Sequence, residues 1–199
     1  MRKGIDVSEN NGTVDWQAVK DAGIEFVIIR LGYGNRHLDE AFYLNFNGAV
    51  KAGLDVGVYY YSYALTKDAA EDEAEFLVET LKDGGIMPED LALGIWLDME
   101  DADGYKRNHN MPSDQVITDI CGVFVTSCRD AGYGCGIYAS YSWLAEIIDL
   151  EQLCDVPIWC AQWDVYCDIE DAYLWQFTDA LEICGRYFDG NYEMGGDYE

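Results

Sequence analysis

Residues 4–32 read GIDVSENNGTVDWQAVKDAGIEFVIIRLG, and the pattern of this stretch recurs along the chain. An apolar run around Ile5 precedes a short helix-like segment, which follows a possible cap at Thr13 and stops at Gly23. The apolar run FVIIRLG then predicts a buried strand. The stretch is therefore one strand–helix–strand unit. Strands with nearly continuous apolar runs are typical of a parallel sheet buried on both faces.

The same alternation continues through five strand–helix units. Helices are predicted from about Asp39 to Ala52, from about Asp68 to Lys82, after a cap at Ser113, and from about Tyr141 to Ile148. The strands between them are LDVGVYYYSYA, LALGIWLDME and GCGIYAS, and three strand-like runs without helices close the chain: PIWCAQW, AYLWQF and ICGRYFDGNY.

Eight such strands predict an α/β fold, an irregular TIM-like barrel in which five strand–helix units precede three bare strands. We expect residues 1–199 to form a single domain, because no linker, low-complexity segment or repeat interrupts them. A doubly wound open sheet is the alternative. Its usual GxGxxG fingerprint is missing after the first strand, where GIDVSENNG offers acids and amides instead.

Composition limits the partners of this fold. The 199 residues carry 38 acidic and 12 basic side chains, a formal charge of −26, which argues against a nucleic-acid partner. No run of about 18 apolar residues occurs, so we expect neither a membrane span nor an export signal here. The seven cysteines are odd in number and form no CxxC motif, which favours ordinary buried thiols.

Four carboxylates are predicted at strand ends: Asp6, Asp98, Glu100 and Asp189. Side chains two apart on a strand point to the same face, about 6–7 Å apart along the chain. Asp98 and Glu100 can therefore share a substrate. Because catalytic residues of a barrel project from the carboxyl ends of its strands, we expect all four acids at one mouth.

Aromatic and amide side chains alternate with these acids at the predicted strand ends. They are Tyr59, Tyr61, Tyr138, Gln162, Trp163 and Gln176, which we predict as substrate-binding residues. Flat aromatic faces suit sugar rings. Glycoside hydrolysis needs one protonated and one ionised carboxyl group, and clustered carboxylates provide both by opposing each other's ionisation.

Other uses of the acids are open. A divalent ion held by Asp6, Asp98 and Glu100 is chemically reasonable, and a purely structural role is possible for Asp98 alone. The run DMEDADG fails as a calcium loop, because counting back from its glycine puts a methionine at the first ligand position. His37 and His109 lie in polar segments without ligand spacing. We expect no metal and no cofactor.

The chain resembles the glycoside hydrolase family 25 lysozymes. The motifs that carry the resemblance are GIDVSENNGTVDW, FVIIRLGYG, AGLDVGVYYYSYA, WLDMED, GYGCGIYAS, IWCAQW, LWQFT and FDGNY, in this order over nearly the whole chain. The family fold is a (β/α)5β3 barrel, in agreement with the strand count. The resemblance implies hydrolysis of the β-1,4 bond between N-acetylmuramic acid and N-acetylglucosamine in peptidoglycan.

The resemblance also assigns roles. Glu100 would be the general acid/base, and Asp98 would either orient the 2-acetamido group of the substrate or act as the nucleophile. Asp6 and Asp189 match family aspartates that shape the charge of the site and hold substrate. Many members have Tyr-His-Phe at positions 59–61, where this chain has three tyrosines, which puts the subsite preference in question.

Peptidoglycan glycan strands are thus the expected partner of an extracellular or cell-wall-associated monomer. A barrel that binds wall glycan or chitin oligomers without cutting them, and a hydrolase of another N-acetylated glycan, are the alternatives. An anionic wall repels a chain of charge −26, so we expect activity to rise with moderate salt or below neutral pH.

Overall fold

The computed structural model describes residues 1–195. The strands are β1 (Arg2–Val7), β2 (Phe26–Tyr33), β3 (His37–Leu38), β4 (Asp55–Tyr61), β5 (Ile95–Asp98), β6 (Cys135–Ser140), β7 (Ile158–Ala161), β8 (Leu174–Ile183) and β9 (Arg186–Glu193). The α-helices are α1 (Trp16–Asp21), α2 (Phe42–Lys51), α3 (Lys67–Asp83), α4 (Tyr105–Asn108), α5 (Asp114–Asp130) and α6 (Tyr141–Glu146). Short 3₁₀ turns occupy Glu9–Asn11 and Pro88–Asp90.

The sheet closes into a barrel of eight strands. Its order is β1-β9-β8-β7-β6-β5-β4-β2, and β1 also pairs with β2, so no barrel strand is left as an edge; β3 is a two-residue addition beside β2. Five strands followed by helices precede the last three, which have none between them. The predicted irregular barrel is therefore confirmed.

The last strand differs from the prediction in direction. Strand β9 is antiparallel to both β8 and β1, whereas the other barrel pairs are parallel. The run ICGRYFDGNY is not one strand, because Cys184 and Gly185 both have positive φ (50° and 77°) and form a two-residue turn between β8 and β9. Positive φ at both central residues is the requirement of a tight hairpin turn that matches strand twist.

Two helix starts differ from the predictions, and the predicted cap Ser113 precedes α5 without a side-chain cap hydrogen bond. Asp15, rather than Thr13, caps α1 by accepting a hydrogen bond from the Ala18 amide at 3.0 Å. Helix α2 begins at Phe42 and not near Asp39, whose carboxylate is buried and pairs with Arg30. Its other oxygen, Oδ1, accepts the Ala41 amide at 2.9 Å and so closes a turn just before the helix.

Aromatic side chains fill the interior of the barrel. Trp96 and Trp159 are almost fully buried there and meet edge to face, with ring centroids 5.8 Å apart. Gly136 leaves the space for Trp96, since a Cβ at this position would lie 2.5 Å from the indole. A second, larger apolar layer packs between the strands and the helices. Trp16 and the partly buried Trp143 belong to that outer layer.

All seven cysteines are free thiols. Cys121, Cys128, Cys135 and Cys160 are buried, as the sequence predicted for ordinary core thiols, whereas Cys154 and Cys184 are exposed and Cys167 is half-buried. None of the helices within residues 1–195 combines the length and the apolar character needed to cross a membrane.

Candidate active site

A cleft of about 430 Å³ opens at the carboxyl ends of the parallel strands. Nine of the ten predicted site residues line it: Asp6, Asp98, Glu100, Asp189, Tyr59, Tyr61, Tyr138, Trp163 and Gln176. Gln162 is not among the lining residues. Its side chain is hydrogen-bonded to Asp168, and its backbone carbonyl accepts the indole N–H of Trp175 at 2.7 Å, so it shapes the loop after β7.

Two carboxyl groups share one face at the end of β5. Asp98 is the last residue of the strand, and Glu100 follows beyond it, but the backbone remains extended because the Met99 amide donates to the Tyr138 carbonyl at 2.9 Å. The alternation therefore continues: Met99 is buried in the core, and the two acids face the cleft. The Oδ1 atom of Asp98 is buried without a hydrogen-bond partner.

Burial is the main electrostatic feature of this pair. It raises the pKa of Asp98 well above its ordinary value, and the nearby Glu100 carboxylate raises it further. Burial also raises the pKa of Glu100, while the positive charge of Lys106 opposes the rise. Since burial disfavours charge, both carboxyl groups are shifted toward their protonated forms. A protonated carboxyl group is the state that an acid catalyst needs.

Asp6 and Asp189 form a second carboxyl pair across the barrel closure. They lie directly opposite each other in the β1–β9 register, although they are 183 positions apart in the chain. Burial and the Asp189 charge raise the pKa of Asp6 well above its usual range, and burial raises the pKa of Asp189 to about 6. The interaction of the two carboxyl groups with each other raises the pKa of Asp6 further and lowers that of Asp189, so the two groups titrate as a pair.

The position of Asp189 within its strand differs from the prediction. It was expected at the end of the eighth strand, but it is the fourth residue of the eight in β9. Because β9 runs antiparallel to β1, its first half lies at the mouth of the barrel, and a mid-strand residue reaches the cleft. Gln176 is likewise the third residue of β8, which extends past the barrel to Ile183.

Gln176 links the aromatic wall of the cleft to Asp6. Its Oε1 atom accepts hydrogen bonds from the Tyr138 hydroxyl at 3.2 Å and from the Trp163 indole at 3.1 Å, and its Nε2 atom donates to Asp6 at 3.0 Å. Asn191 donates to the same Asp6 oxygen at 2.8 Å. The orientation of Asp6 is therefore fixed by two amides, while the exposed Trp163 ring is held by one.

The tyrosines form the opposite wall. Burial raises the pKa of Tyr59 and of Tyr61, so both stay neutral hydroxyl groups over the physiological range. The Tyr61 hydroxyl donates to Asp103 at 3.3 Å. Tyr63, outside the cleft, donates to the same carboxylate. The wall thus offers neutral donors and aromatic faces beside the carboxyl groups.

Several cleft residues were missed by the sequence analysis. They are Ser8, Asn10 and Asn11 after β1, Arg30 in β2, Ala102 after Glu100, Trp159 in β7 and Asp179 in β8. Arg30 carried a readable signal, as a single charge inside the apolar run FVIIRLG. It pairs with Asp39 at 2.8 Å and with Glu9 at 3.1 Å. Asn191 also had one, because it lies two residues after Asp189 and so shares its face.

No group of three or more His, Cys, Asp or Glu side chains within residues 1–195 is arranged to hold a metal ion. A wider groove, of about 630 Å³, lies outside the barrel beside α3 and α5. Its polar lining, which includes Lys67, Asp119 and Arg129, is solvated and has no buried carboxyl pair. The smaller cleft, which contains the buried carboxyl groups, is therefore the candidate active site.

The family model described as "Glycosyl hydrolases family 25" matches residues 5–186. The "Autolytic lysozyme" of Clostridium acetobutylicum is 26% identical over 185 residues, which cover 92% of this chain and 52% of that protein. The chain thus spans about half the length of this curated relative.

Solved structures show the same barrel. The modular autolysin LytC from Streptococcus pneumoniae, solved with a synthetic peptidoglycan ligand, aligns with a TM-score of 0.84 at 25% identity, over 96% of this chain and 46% of that one. The bacterial lysozyme from Streptomyces coelicolor aligns with a TM-score of 0.82 at 23% identity, over 98% and 92% of the two chains. At 23% identity, the similarity to the Streptomyces coelicolor lysozyme shows a shared fold.

Proposed function

Because this chain belongs to glycosyl hydrolases family 25, we propose that it is a peptidoglycan hydrolase that cleaves the β-1,4 bond between N-acetylmuramic acid and N-acetylglucosamine. The observation that carries the proposal is the pair of the buried Asp98 and the half-buried Glu100, two carboxyl groups on one face of a cleft with raised pKa values. Glycosidic cleavage requires two such groups in different protonation states. The names of the related lysozyme and autolysin support the same substrate.

Glu100 is the proposed general acid/base. In the first step it donates its proton to the glycosidic oxygen as the bond from the anomeric carbon breaks, and the bonding electron pair leaves with that oxygen. Burial favours the protonated form of Glu100 for this step, since it raises the pKa. The resulting carboxylate then takes a proton from the water that completes hydrolysis.

Asp98 is proposed to assist the substrate's own acetamido group. The buried Oδ1 atom has no hydrogen-bond partner and is an acceptor suited to the acetamido N–H. With its N–H held there, the acetamido carbonyl oxygen attacks the anomeric carbon and forms a cyclic oxazolinium ion. Water opens this ion, and the β configuration is retained. Direct attack by Asp98 is the competing role, and it also retains the configuration.

The remaining predicted residues are proposed to hold the sugar. Asp6 and Asp189 accept hydrogen bonds from sugar hydroxyl groups and contribute to the charge of the cleft. Gln176 holds the side chain of Asp6 in its orientation. Five further side chains would provide stacking faces and polar contacts: Tyr59, Tyr61, Tyr138, Trp163 and, through the loop that it shapes, Gln162.

Digestion of purified peptidoglycan tests the proposal. The new reducing ends are reduced with borohydride and identified after acid hydrolysis. We expect muramicitol from the parent chain. Glu100→Gln and Asp98→Asn should each lower the rate by at least about 10² because each removes a group that acts in the transition state. Glu75→Gln, an equivalent change at an exposed residue of α3, is the matched control and should keep the parent rate.

Other outcomes identify other functions. Glucosaminitol would mean that the opposite glycosidic bond is cut, and products from chitin oligomers alone would mean another N-acetylated glycan. Retention on peptidoglycan without new reducing ends would identify a binding barrel. A fully active Glu100→Gln variant would remove this residue from its role.

The role of Asp98 has a separate test. Replacing the acetamido group of a soluble muramyl substrate by trifluoroacetamido weakens the carbonyl oxygen as a nucleophile. An assisted mechanism then predicts a large fall in kcat, whereas direct attack by Asp98 predicts a small one. Measuring kcat for the two substrates distinguishes the mechanisms without any mutation.

We further propose that residues 1–199 act as a single catalytic domain, since one barrel carries every proposed site residue. We also propose that it acts as a monomer. Its substrate places the activity outside the cell or at the wall. Sedimentation at assay concentration checks the monomer.

A further inference from the structure

Lys106 is a buried cation directly beside the carboxyl pair. It lies in α4, six residues after Glu100, and only 1% of it is exposed. Its Nζ atom donates hydrogen bonds to the backbone carbonyls of Glu100, at 2.9 Å, and of Ser62. These carbonyls follow the ends of β5 and β4. One ammonium group therefore ties together the two strand ends that form this side of the cleft.

The loop around Lys106 is built to keep it there. The Asp101 carboxylate accepts the Lys106 backbone amide at 2.7 Å, which fixes the start of the α4 turn. The Glu73 carboxylate, 3% exposed on α3, accepts the Ser62 hydroxyl at 2.6 Å and the Tyr63 amide at 2.8 Å. Glu73 thus holds the same segment that provides one of the two carbonyl acceptors.

Buried lysines are rare because an uncompensated ammonium is expensive to remove from water. Acidic side chains on several secondary-structure elements offset the cost of burying the Lys106 ammonium group. The charged or titratable groups that face Lys106 are Glu73 on α3, Tyr61 on β4, Asp98 at the end of β5, Glu100, Asp101 and Asp103 in the segment that follows, and Cys121 on α5. Three of the five carboxyl groups therefore lie in the short segment between Asp98 and Lys106.

We propose that Lys106 is the positioning residue of the Asp98–Glu100 pair: it fixes the Glu100 main chain and places a buried positive charge beside both carboxyl groups. The inference rests on the proposed function. A purely packing role would not need an ammonium group at this position, because methionine fills a similar volume without the cost of burying a charge.

The positive charge of Lys106 acts on the pKa values of the two neighbouring carboxyl groups. The Lys106 charge lowers the pKa of Asp98 and of Glu100, against the larger rise that burial causes. Removal of the charge therefore moves both ionisations to higher pH. The acid limb of the activity profile, where the second carboxyl must ionise, and the alkaline limb, where Glu100 loses its proton, should move together.

The test is the pH profile of kcat/KM on soluble peptidoglycan fragments from pH 4 to 9. Lys106→Met should move both limbs upward by about one pH unit, the shift that loss of a nearby opposite charge produces. Lys106→Arg keeps a positive charge and should keep the limbs of the parent. Lys51→Met, which removes an exposed charge on α2, is the matched control and should also keep them.

A double variant is included in case Lys106→Met alone does not fold. Lys106→Met leaves Glu73 buried without its cation, so Lys106→Met/Glu73→Gln removes both charges together and retains hydrogen-bonding capacity for Ser62. Near-UV circular dichroism verifies that the variants assayed are folded. The double variant should show the same upward shift of both limbs.

The possible results distinguish failure of the proposed hydrolase function from failure of the proposed role of Lys106. A parent chain that does not hydrolyse peptidoglycan overturns the proposed function. An active parent whose folded Met variants lose rate equally at every pH, with unmoved limbs, leaves the proposed function standing and reduces Lys106 to packing. Limbs of the pH profile that are displaced in the two Met variants and unmoved in Lys106→Arg support the positioning role.

Discussion

Asp189→Asn should stabilise the chain at neutral pH while it damages the cleft. Burial raises the pKa of Asp189 to about 6 from an ordinary 3.8, and the neighbouring Asp179 also favours the protonated form. A carboxyl group with a raised folded-state pKa contributes stability below its unfolded pKa, and that contribution is lost as the pH rises to the folded value. For Asp189 the window is from about pH 4 to pH 6.

The expected change in the free energy of unfolding follows from the folded and ordinary pKa values of Asp189. A pKa of about 6 against 3.8 corresponds to about 3 kcal/mol at 1.36 kcal/mol per pH unit. This is an upper bound, because Asp189 is partly exposed and solvent screens its charge. Asparagine keeps an oxygen that can accept the hydrogen bond from Asp6 but cannot ionise. We therefore expect a gain of about 1–3 kcal/mol at pH 7.5 and about none at pH 4.

Urea unfolding at intervals between pH 4 and pH 8 measures the difference directly. The exposed Asp171→Asn is the matched control and should follow the parent at every pH. A difference between Asp189→Asn and the parent that stays constant across the range would refute the reasoning, because only a titrating group makes it depend on pH. A variant less stable than the parent at pH 7.5 would refute it as well.

Three further outcomes are expected. Gly136→Ala should lower the free energy of unfolding by about 1–3 kcal/mol, because the added Cβ would lie 2.5 Å from Trp96, and denaturant melts measure it. Alkylation of Cys167, followed by peptide mass spectrometry, should titrate near pH 7, since the thiol of Cys160 donates to it and lowers its pKa to about 7; Cys160→Ala should move that midpoint upward. Hydrolysis of whole walls should speed up with moderate salt, because screening weakens repulsion from a chain of charge −26; a rate unaffected by salt would contradict this.

The parts of the site that the sequence predicted are those governed by local rules. Asp98 and Glu100 share a face because strand side chains alternate with period two, and this needs no knowledge of the rest of the fold. The eight strands were likewise readable from short apolar runs. The extended backbone past Asp98 depends on the hydrogen bond of Met99 to Tyr138, but it follows the same alternation.

The contacts that orient Asp6 could not be predicted in this way. Its amide partners Gln176 and Asn191 lie 170 and 185 residues away, so their proximity depends on barrel closure and on register. Lys106 was missed for a different reason. It lies in a polar loop, DADGYKRNHNMP, where a lysine is ordinarily solvent-exposed, and only the packing of α4 against the strand ends buries it.

The direction of β9 shows how a distant turn determines the charge of the cleft. The two positive-φ residues Cys184 and Gly185 reverse the chain, and the β9 register then places Asp189 directly opposite Asp6. A one-residue slip in this register would turn Asp189 to the other face and separate it from Asp6. The paired titration of Asp6 and Asp189 is therefore a consequence of a hairpin outside the cleft. Cys184 is an unusual residue for positive φ, whereas Asn, Asp and Gly are the usual ones. That unusual choice explains why the turn was not recognised in ICGRYFDGNY, and why the antiparallel closure became visible only in the structure.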